Sequence, residues 1–374
     1  MATPGPDDLA HLFSPEWATA MRAAPREHFI PDAARATPMG DTPGNWIDRA
    51  TDPAAWREAV YSDTTILTQI DDGDTDLTAE TAQRGTPSSS NTAPSLVAEF
   101  LELLDPYLGD RVLEVGTGTG WTAALLSVRV GAENVTTVEV DPAVAEQAQA
   151  NLKRAGYAPH VVVTDGAQGH ARGAPYDRVH VTCGVREIPY AWVEQTRPGG
   201  VIVTPWMPAN MAGHQLRIVV TGDVGVGRIC GEASFMMLRE QRFRPPDAAP
   251  DARISESRVD PRRVSYAGSG LRVALAGLIP GVSFSGLDRP DGLHQVAVRH
   301  GGSGSDAVCR ATPGEPAEVK QYGPRSLWDE LELAYLAWVS WGEPQWDRFG
   351  VTVDADGQHV WLDSPTNRIA EVQR

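Results

Sequence analysis

The segment VLEVGTGTGWTAALL (112–126) constrains the fold more than any other stretch of this chain. An apolar run, a glycine-rich turn and a helix-forming run follow one another, as a βα ligand-binding turn requires. Gly116, Gly118 and Gly120 allow a sharp turn and a close ligand approach. The unpaired N–H groups of the following helix then face that ligand. The spacing is G-x-G-x-G, and Trp121 stands where a dinucleotide fingerprint places its third glycine.

The stretches downstream repeat the theme. VTTVEV (135–140), HVVVT (160–164), DRVHVT (177–182) and GVIVTP (200–205) read as strands. WTAALLSVRV (121–130), PAVAEQAQANLKRAG (142–156) and AWVEQT (191–196) read as helices, the second ending at Gly156. This alternation predicts an α/β, doubly wound, mostly parallel sheet. QLRIVVTGDVGVGRICGEASFMML (215–238) reads as an antiparallel hairpin closing the sheet edge. Glu139 ends one strand, where a carboxylate accepts ribose hydroxyls, and Asp165-Gly166 ends the next, where an acid suits an adenine amino group. Three such features at successive strand ends point to an adenine nucleoside rather than to solvated loops.

Around this core, residues 1–84 read as an N-terminal helical and turn-rich insert, with Ser14-Pro15 opening a helix and a short strand in 60–76. GTPSSSNTAPS (85–95) reads as a polar loop before the helix LVAEFLELL (96–104). The core spans 85–242. RPPDAAPDARISES (244–257) lies in a linker, 243–261, and residues 262–374 form a C-terminal α+β domain. Five of the 11 tryptophans fall in its last part, where Leu327, Leu331, Ala334, Trp338 and Trp341 share a helical face. Core packing accounts for most of them, and peptide recognition is the alternative.

Charge excludes several functions. Lys plus Arg total 32 against 49 Asp plus Glu, a net charge of −17, which argues against a nucleic-acid partner or an anionic membrane surface. Cys183, Cys230 and Cys309 have no metal-ligand spacing, and the 9 histidines show no HExxH pattern, so no metal is expected. No apolar run approaches a membrane span and no leader is visible, so a cytoplasmic location is the expectation; the oligomeric state stays open, with a monomer favoured.

In order along the chain, PREHFIPD (25–32), VLEVGTGTGW, VEVDP, VVVTDGAQG, PYDRVHVTCGVREIP and RPGGVIVTPW resemble the protein-L-isoaspartate O-methyltransferase family over roughly residues 22–242. The resemblance implies a class I, Rossmann-like methyltransferase fold with S-adenosylmethionine as donor. It places Glu114, Gly116, Thr117, Gly118, Gly120, Trp121, Glu139, Val140, Asp165, Gly166 and Thr182 at the cofactor. The family's acceptor loop reads T-I-S-A-P-H or T-I-S-Q-P-Y. Here it reads Ser90-Asn91-Thr92-Ala93-Pro94-Ser95, so Thr92 keeps the serine's hydroxyl and Ser95 replaces the last residue. Thr92, Ser95 and Asn91 are the expected catalytic donors, with Tyr61, Asp63, Ser89, Ser90, Pro94, Cys183 and Arg186 on the substrate side. Cys183 is expected to be a small buried residue, and His180 a satisfied core histidine.

The altered acceptor loop, the acidic insert and the long tail resemble a family subgroup that acts on ribosomal peptides. Its members methylate an aspartate in a ring-constrained precursor of graspetide, lanthipeptide or lasso type, and the ester closes to an aspartimide. Repair of isoaspartate in damaged proteins is the alternative. A catalytically silent cofactor-binding regulator is a third reading.

Overall fold

The computed structural model describes residues 3–208, 213–243 and 252–372. The chain divides into two compact units. One is Met1–Cys183 with Ala191–Thr204 and Val219–Asp223; the other is Gly184–Tyr190 with Pro205–Ile218 and Val224–Arg374.

The first unit opens with helix α1 (Pro15–Ala23), strands β1 (Ala33–Pro38) and β2 (Asn45–Asp48), helix α2 (Pro53–Val60), and strands β3 (Thr64–Ile70) and β4 (Pro87–Asn91). The four strands form an antiparallel sheet in the order β2-β1-β3-β4. The N-terminal insert holds the expected helices and, besides them, a sheet; Ser14 at the start of α1 makes no side-chain cap. The polar segment after residue 85 is an edge strand. Backbone pairing of Ser90 with Leu67 and Ser89 with Gln69 builds it, so no apolar alternation marks it.

Helix α3 (Pro94–Leu104) leads into the nucleotide-type core: β5 (Val112–Val115), α4 (Trp121–Val130), β6 (Val135–Glu139), α5 (Pro142–Ala155), β7 (His160–Val163), β8 (Tyr176–Val181), α6 (Tyr190–Glu194) and β9 (Thr196–Trp206). The parallel order is β9-β8-β5-β6-β7. All four residues of β5 are buried, as a central parallel strand demands. Asp141 caps α5 by accepting from the N–H groups of Ala143 (2.9 Å) and Val144 (3.2 Å), and Gly156 ends it at φ 86°. Pro198-Gly199-Gly200 lies inside β9.

The second unit holds β10 (His214–Val220), β11 (Gly225–Glu232), β12 (Arg253–Glu256), α7 (Pro261–Ser265), α8 (Ser269–Leu278), β13 (Val282–Asp288), β14 (His294–His300), β15 (Ser305–Ala311), β16 (Glu318–Tyr322), α9 (Leu327–Ser340), β17 (Phe349–Asp354) and β18 (Gly357–Leu362). β10 and β11 lie side by side, but they do not end their sheet: β17 pairs antiparallel with β11, and β18 with β17. A separate antiparallel sheet runs β12-β16-β15-β14-β13. Residues 244–251 of the expected linker lie outside the described residues. Its remainder is structured, because Arg253–Glu256 pairs with β16. All four side chains of β12 are exposed, so its polar sequence hides the strand. Trp328, Trp338 and Trp361 are buried, and the Trp328 indole N–H donates to Ser257 Oγ (2.8 Å) and Glu332 Oε1 (3.0 Å). These tryptophans build a core rather than an exposed binding face. No helix among the described residues is long and apolar enough to cross a membrane.

Candidate active site

The glycine turn sits between β5 and α4 with Gly116, Gly118 and Gly120 at φ 95°, 53° and 89°. Residues with a Cβ rarely adopt these angles. A Cβ on Gly118 would stand 3.3 Å from the Ser90 carbonyl oxygen, so the acceptor strand β4 lies directly against this turn. The Val138 carbonyl accepts from the N–H groups of Gly116 (2.9 Å) and Thr117 (3.2 Å), which fixes the turn to the end of β6.

Glu139 ends β6 with its carboxylate already oriented. Oε2 accepts from the Gly118 N–H at 3.0 Å, and Oε1 accepts from Val140 (2.9 Å) and Asp141 (3.1 Å). Burial pushes this carboxyl above its ordinary range, against the three N–H donors that pull it down. At the next strand end, Asp165 accepts from the Ala167 N–H (2.9 Å), and the buried Trp192 donates to the Gly166 carbonyl (2.9 Å). Burial, followed by the negative charges of Glu139 and Asp165, pushes the Cys183 thiol up to about 12. β6, β7 and β8 run parallel in one sheet, so their C-terminal ends lie along one edge, where Cys183 is half-buried.

Several expected ligand contacts are spent within the fold. Thr182 Oγ1 donates to the carbonyls of Val115 (3.0 Å) and Gly116 (2.5 Å), bracing the turn. Thr117 Oγ1 bonds Thr137 Oγ1 (2.6 Å), which donates to Glu114 Oε2 (2.6 Å). Glu114 is fully buried, and burial raises it to about 8. His180 Nδ1 lies 3.9 Å from Glu114 Oε1, and burial lowers His180 to about 4. Neither His180 ring nitrogen has a hydrogen-bond partner among the described residues, so this core histidine is buried but not satisfied. Trp121 is buried and donates its indole N–H to the Ala24 carbonyl (3.0 Å). Val140 is exposed beside Glu139.

On the acceptor side, Arg26 is the residue that sequence reasoning missed. It is fully buried. Its nitrogens donate to Asn91 Oδ1 (2.7 Å) and to the carbonyls of Thr64 (2.6 Å), Val60 (3.1 Å) and Thr92 (3.1 Å). Burial lowers its guanidinium to about 9. Asn91 also donates to Thr119 Oγ1 (2.8 Å), so its amide is held between Arg26 and the turn. Asp63 Oδ1 accepts from the Ser95 N–H (2.9 Å), capping the first turn of α3. Ser89 Oγ accepts from Thr68 (3.2 Å). Tyr61 is buried, and its phenol is pushed up to about 12 by burial, with the Glu27 charge adding to it. Pro94 is the first residue of α3. The Thr92 and Ser95 hydroxyls hold no hydrogen bond within the described chain and stay available to a substrate. Arg186 belongs to the second unit, where its N–H donates to Gln241 Oε1 (2.7 Å) and its carbonyl accepts from Gln358 (2.9 Å).

The residues fit S-adenosylmethionine. A cradle that a Cβ would narrow and a preset carboxylate at the next strand end suit a nucleoside with two ribose hydroxyls, and Asp165-Gly166 suits its base. When bound, that cofactor supplies a methyl group on a positively charged sulfur. Fold and site together define a class I S-adenosylmethionine-dependent methyltransferase.

Comparison with known proteins narrows the class. The family model described as protein-L-isoaspartate(D-aspartate) O-methyltransferase matches residues 47–222. The protein-L-isoaspartate O-methyltransferase of Methanopyrus kandleri is 39% identical over 163 residues, 42% of this chain and 71% of the relative. That of Thermococcus onnurineus is 45% identical over 116 residues, 30% of this chain and 52% of the relative. The chain belongs to the protein-L-isoaspartate(D-aspartate) O-methyltransferase family, the S-adenosylmethionine-dependent protein carboxyl O-methyltransferases. A solved structure of a protein-L-isoaspartate O-methyltransferase shares the fold over 96% of this chain and 100% of its own, with TM-score 0.56 and 22% identity. The long C-terminal region is therefore not peculiar to this chain.

Proposed function

We propose that this protein methylates the free α-carboxylate of an isoaspartyl residue in a polypeptide, the residue that the names of its relatives state for them. The observation that carries the reading is the seating of β4 on the glycine turn. Ser90 closes over Gly118, and the free hydroxyls of Thr92 and Ser95 follow within five residues of chain. A carboxylate is already ionised at neutral pH, so no general base is needed. Thr92 and Ser95 donate to it and hold it in line, which is where the rate gain arises. The carboxylate oxygen gains the methyl group as the carbon–sulfur bond breaks. Its negative charge and the sulfonium's positive charge vanish together.

One observation favours a second, narrower substrate: an ordinary aspartate in a ring-constrained ribosomal peptide. The acceptor segment departs from T-I-S-x-P and forms the edge of a four-stranded sheet built from residues 33–91. In that case the following backbone nitrogen attacks the ester carbonyl and methanol leaves, giving an aspartimide. Incubating the protein with labelled S-adenosylmethionine and either an isoaspartyl peptide or a cyclised aspartyl peptide separates the two. Label on the isoaspartyl peptide supports the first reading. Label and methanol only from the cyclised peptide replace it with the second, and label on neither rejects both.

A further inference from the structure

We propose that Arg26, Asn91 and Thr119 form a polar relay that ties the acceptor strand to the cofactor turn, so that filling the turn orders the acceptor. The proposal rests on the reading of residues 116–120 as the S-adenosylmethionine turn.

Thr119 is the residue in the turn between Gly118 and Gly120, both of positive φ, and it is held from two sides. The Asn151 side chain on α5 donates to its carbonyl (3.0 Å), and the Asn91 side chain at the end of β4 donates to its hydroxyl (2.8 Å). All three residues are buried. The orientation of Asn91 is forced. A guanidinium only donates, so Oδ1 must face Arg26 and the amide NH2 must face Thr119. Arg26 spans the same junction a second way: its guanidinium lies 5.3 Å from the centre of the Trp121 ring, the first residue of α4, and it also binds the Thr92 carbonyl.

The sequence of β4, PSSSN, brings no large apolar side chain, and its remaining ties, the pairing with β3 and the Ser88 and Ser89 hydroxyl bonds to residues 68, 69 and 72, all lie on the side away from the turn. A displacement of the turn is therefore passed to residues 87–92 through Thr119 and Asn91 rather than absorbed by packing. Two sites joined by one two-ended element show a coupling free energy, and coupling of this kind is reciprocal. Arg26, Asn91 and Thr119 are positioning residues: they act through Thr92 and the turn, and none is asked to touch the reacting atoms.

Hydrogen exchange followed by mass spectrometry, on the full chain with and without S-adenosylhomocysteine, tests the relay. In the unsubstituted protein the probe should slow exchange across 112–121 and also across 87–92, each by about fivefold or more. In Thr119→Val the slowing should persist across 112–121 and vanish across 87–92, and Thr119→Ser should restore both. Asn91→Leu should reproduce the loss from the acceptor side, which keeps the test intact if Thr119→Val does not fold. Slowing across 87–92 that survives in Thr119→Val or Asn91→Leu overturns the relay. So does slowing confined to 112–121 in the unsubstituted protein. No slowing at 112–121 in that protein overturns the cofactor reading itself, and the relay with it.

Discussion

The donor turn and the acceptor strand meet at Gly118 and Ser90, yet they are built by opposite means. The turn is held by backbone: positive-φ glycines, N–H groups on the Val138 carbonyl, and a carboxylate bound to three amides. The strand is held by its pairing with β3 and by one long side chain, Arg26, reaching carbonyls from Val60 to Thr92. A backbone-defined site accepts few sequences, whereas a site hung on a side chain lets its neighbours vary. The family motif is accordingly close to intact at 112–121 and altered at 90–95.

The contrast can be broken most directly at Arg26. Arg26→Met leaves several buried carbonyls without donors and should cost about 3–5 kcal/mol in urea unfolding. A loss below about 1 kcal/mol would mean that β4 is held by something else. Glu139→Ala should weaken S-adenosylhomocysteine binding by about 1–3 kcal/mol in calorimetry with little change in fold. Unchanged affinity removes its ribose role. Thr92→Val sharpens the divide: kcat/KM on a peptide carboxylate should fall about tenfold while cofactor affinity holds. Collapse of cofactor affinity instead would place Thr92 on the donor side.

The smallest effect is a pH dependence beneath the turn. Burial keeps Glu114 protonated up to about pH 8, while an unfolded glutamate titrates near about 4.3. The folded chain then holds an extra proton between those values, so this group's contribution to stability is full below the unfolded value and declines as pH rises toward 8. His180, lowered to about 4, has the opposite sign, and its contribution is complete by about pH 6.5. Of these two groups, Glu114 alone still changes its contribution between about pH 6.5 and 8, at most about 1.4 kcal/mol per pH unit. Glu114→Gln should flatten that window in pH-resolved urea unfolding, and an unchanged slope would assign it elsewhere.

The backbone-built half was legible in the sequence because its demands fall on consecutive residues. Strand, glycines and helix are adjacent, and α4 begins and ends where its periodicity places it, at Trp121 and Val130. Arg26 was not legible. Its acceptors lie 34 to 66 residues away along the chain, and all but Asn91 Oδ1 are backbone carbonyls, which carry no residue identity. Asn91 looked like a free donor for the same reason, because both its partners are distant. β4 and β12 escaped notice because pairing alone makes them strands.

Cys183 has a consequence for chemical selectivity. Sulfur anions outcompete carboxylates for an electrophilic methyl group, and this sulfur lies among the strand ends that would hold the donor. With burial and the neighbouring carboxylates holding its proton on well above neutral pH, the sulfur stays in its weakly nucleophilic thiol form. The enzyme can thus keep a reactive alkylating agent beside its own thiol without inactivating itself.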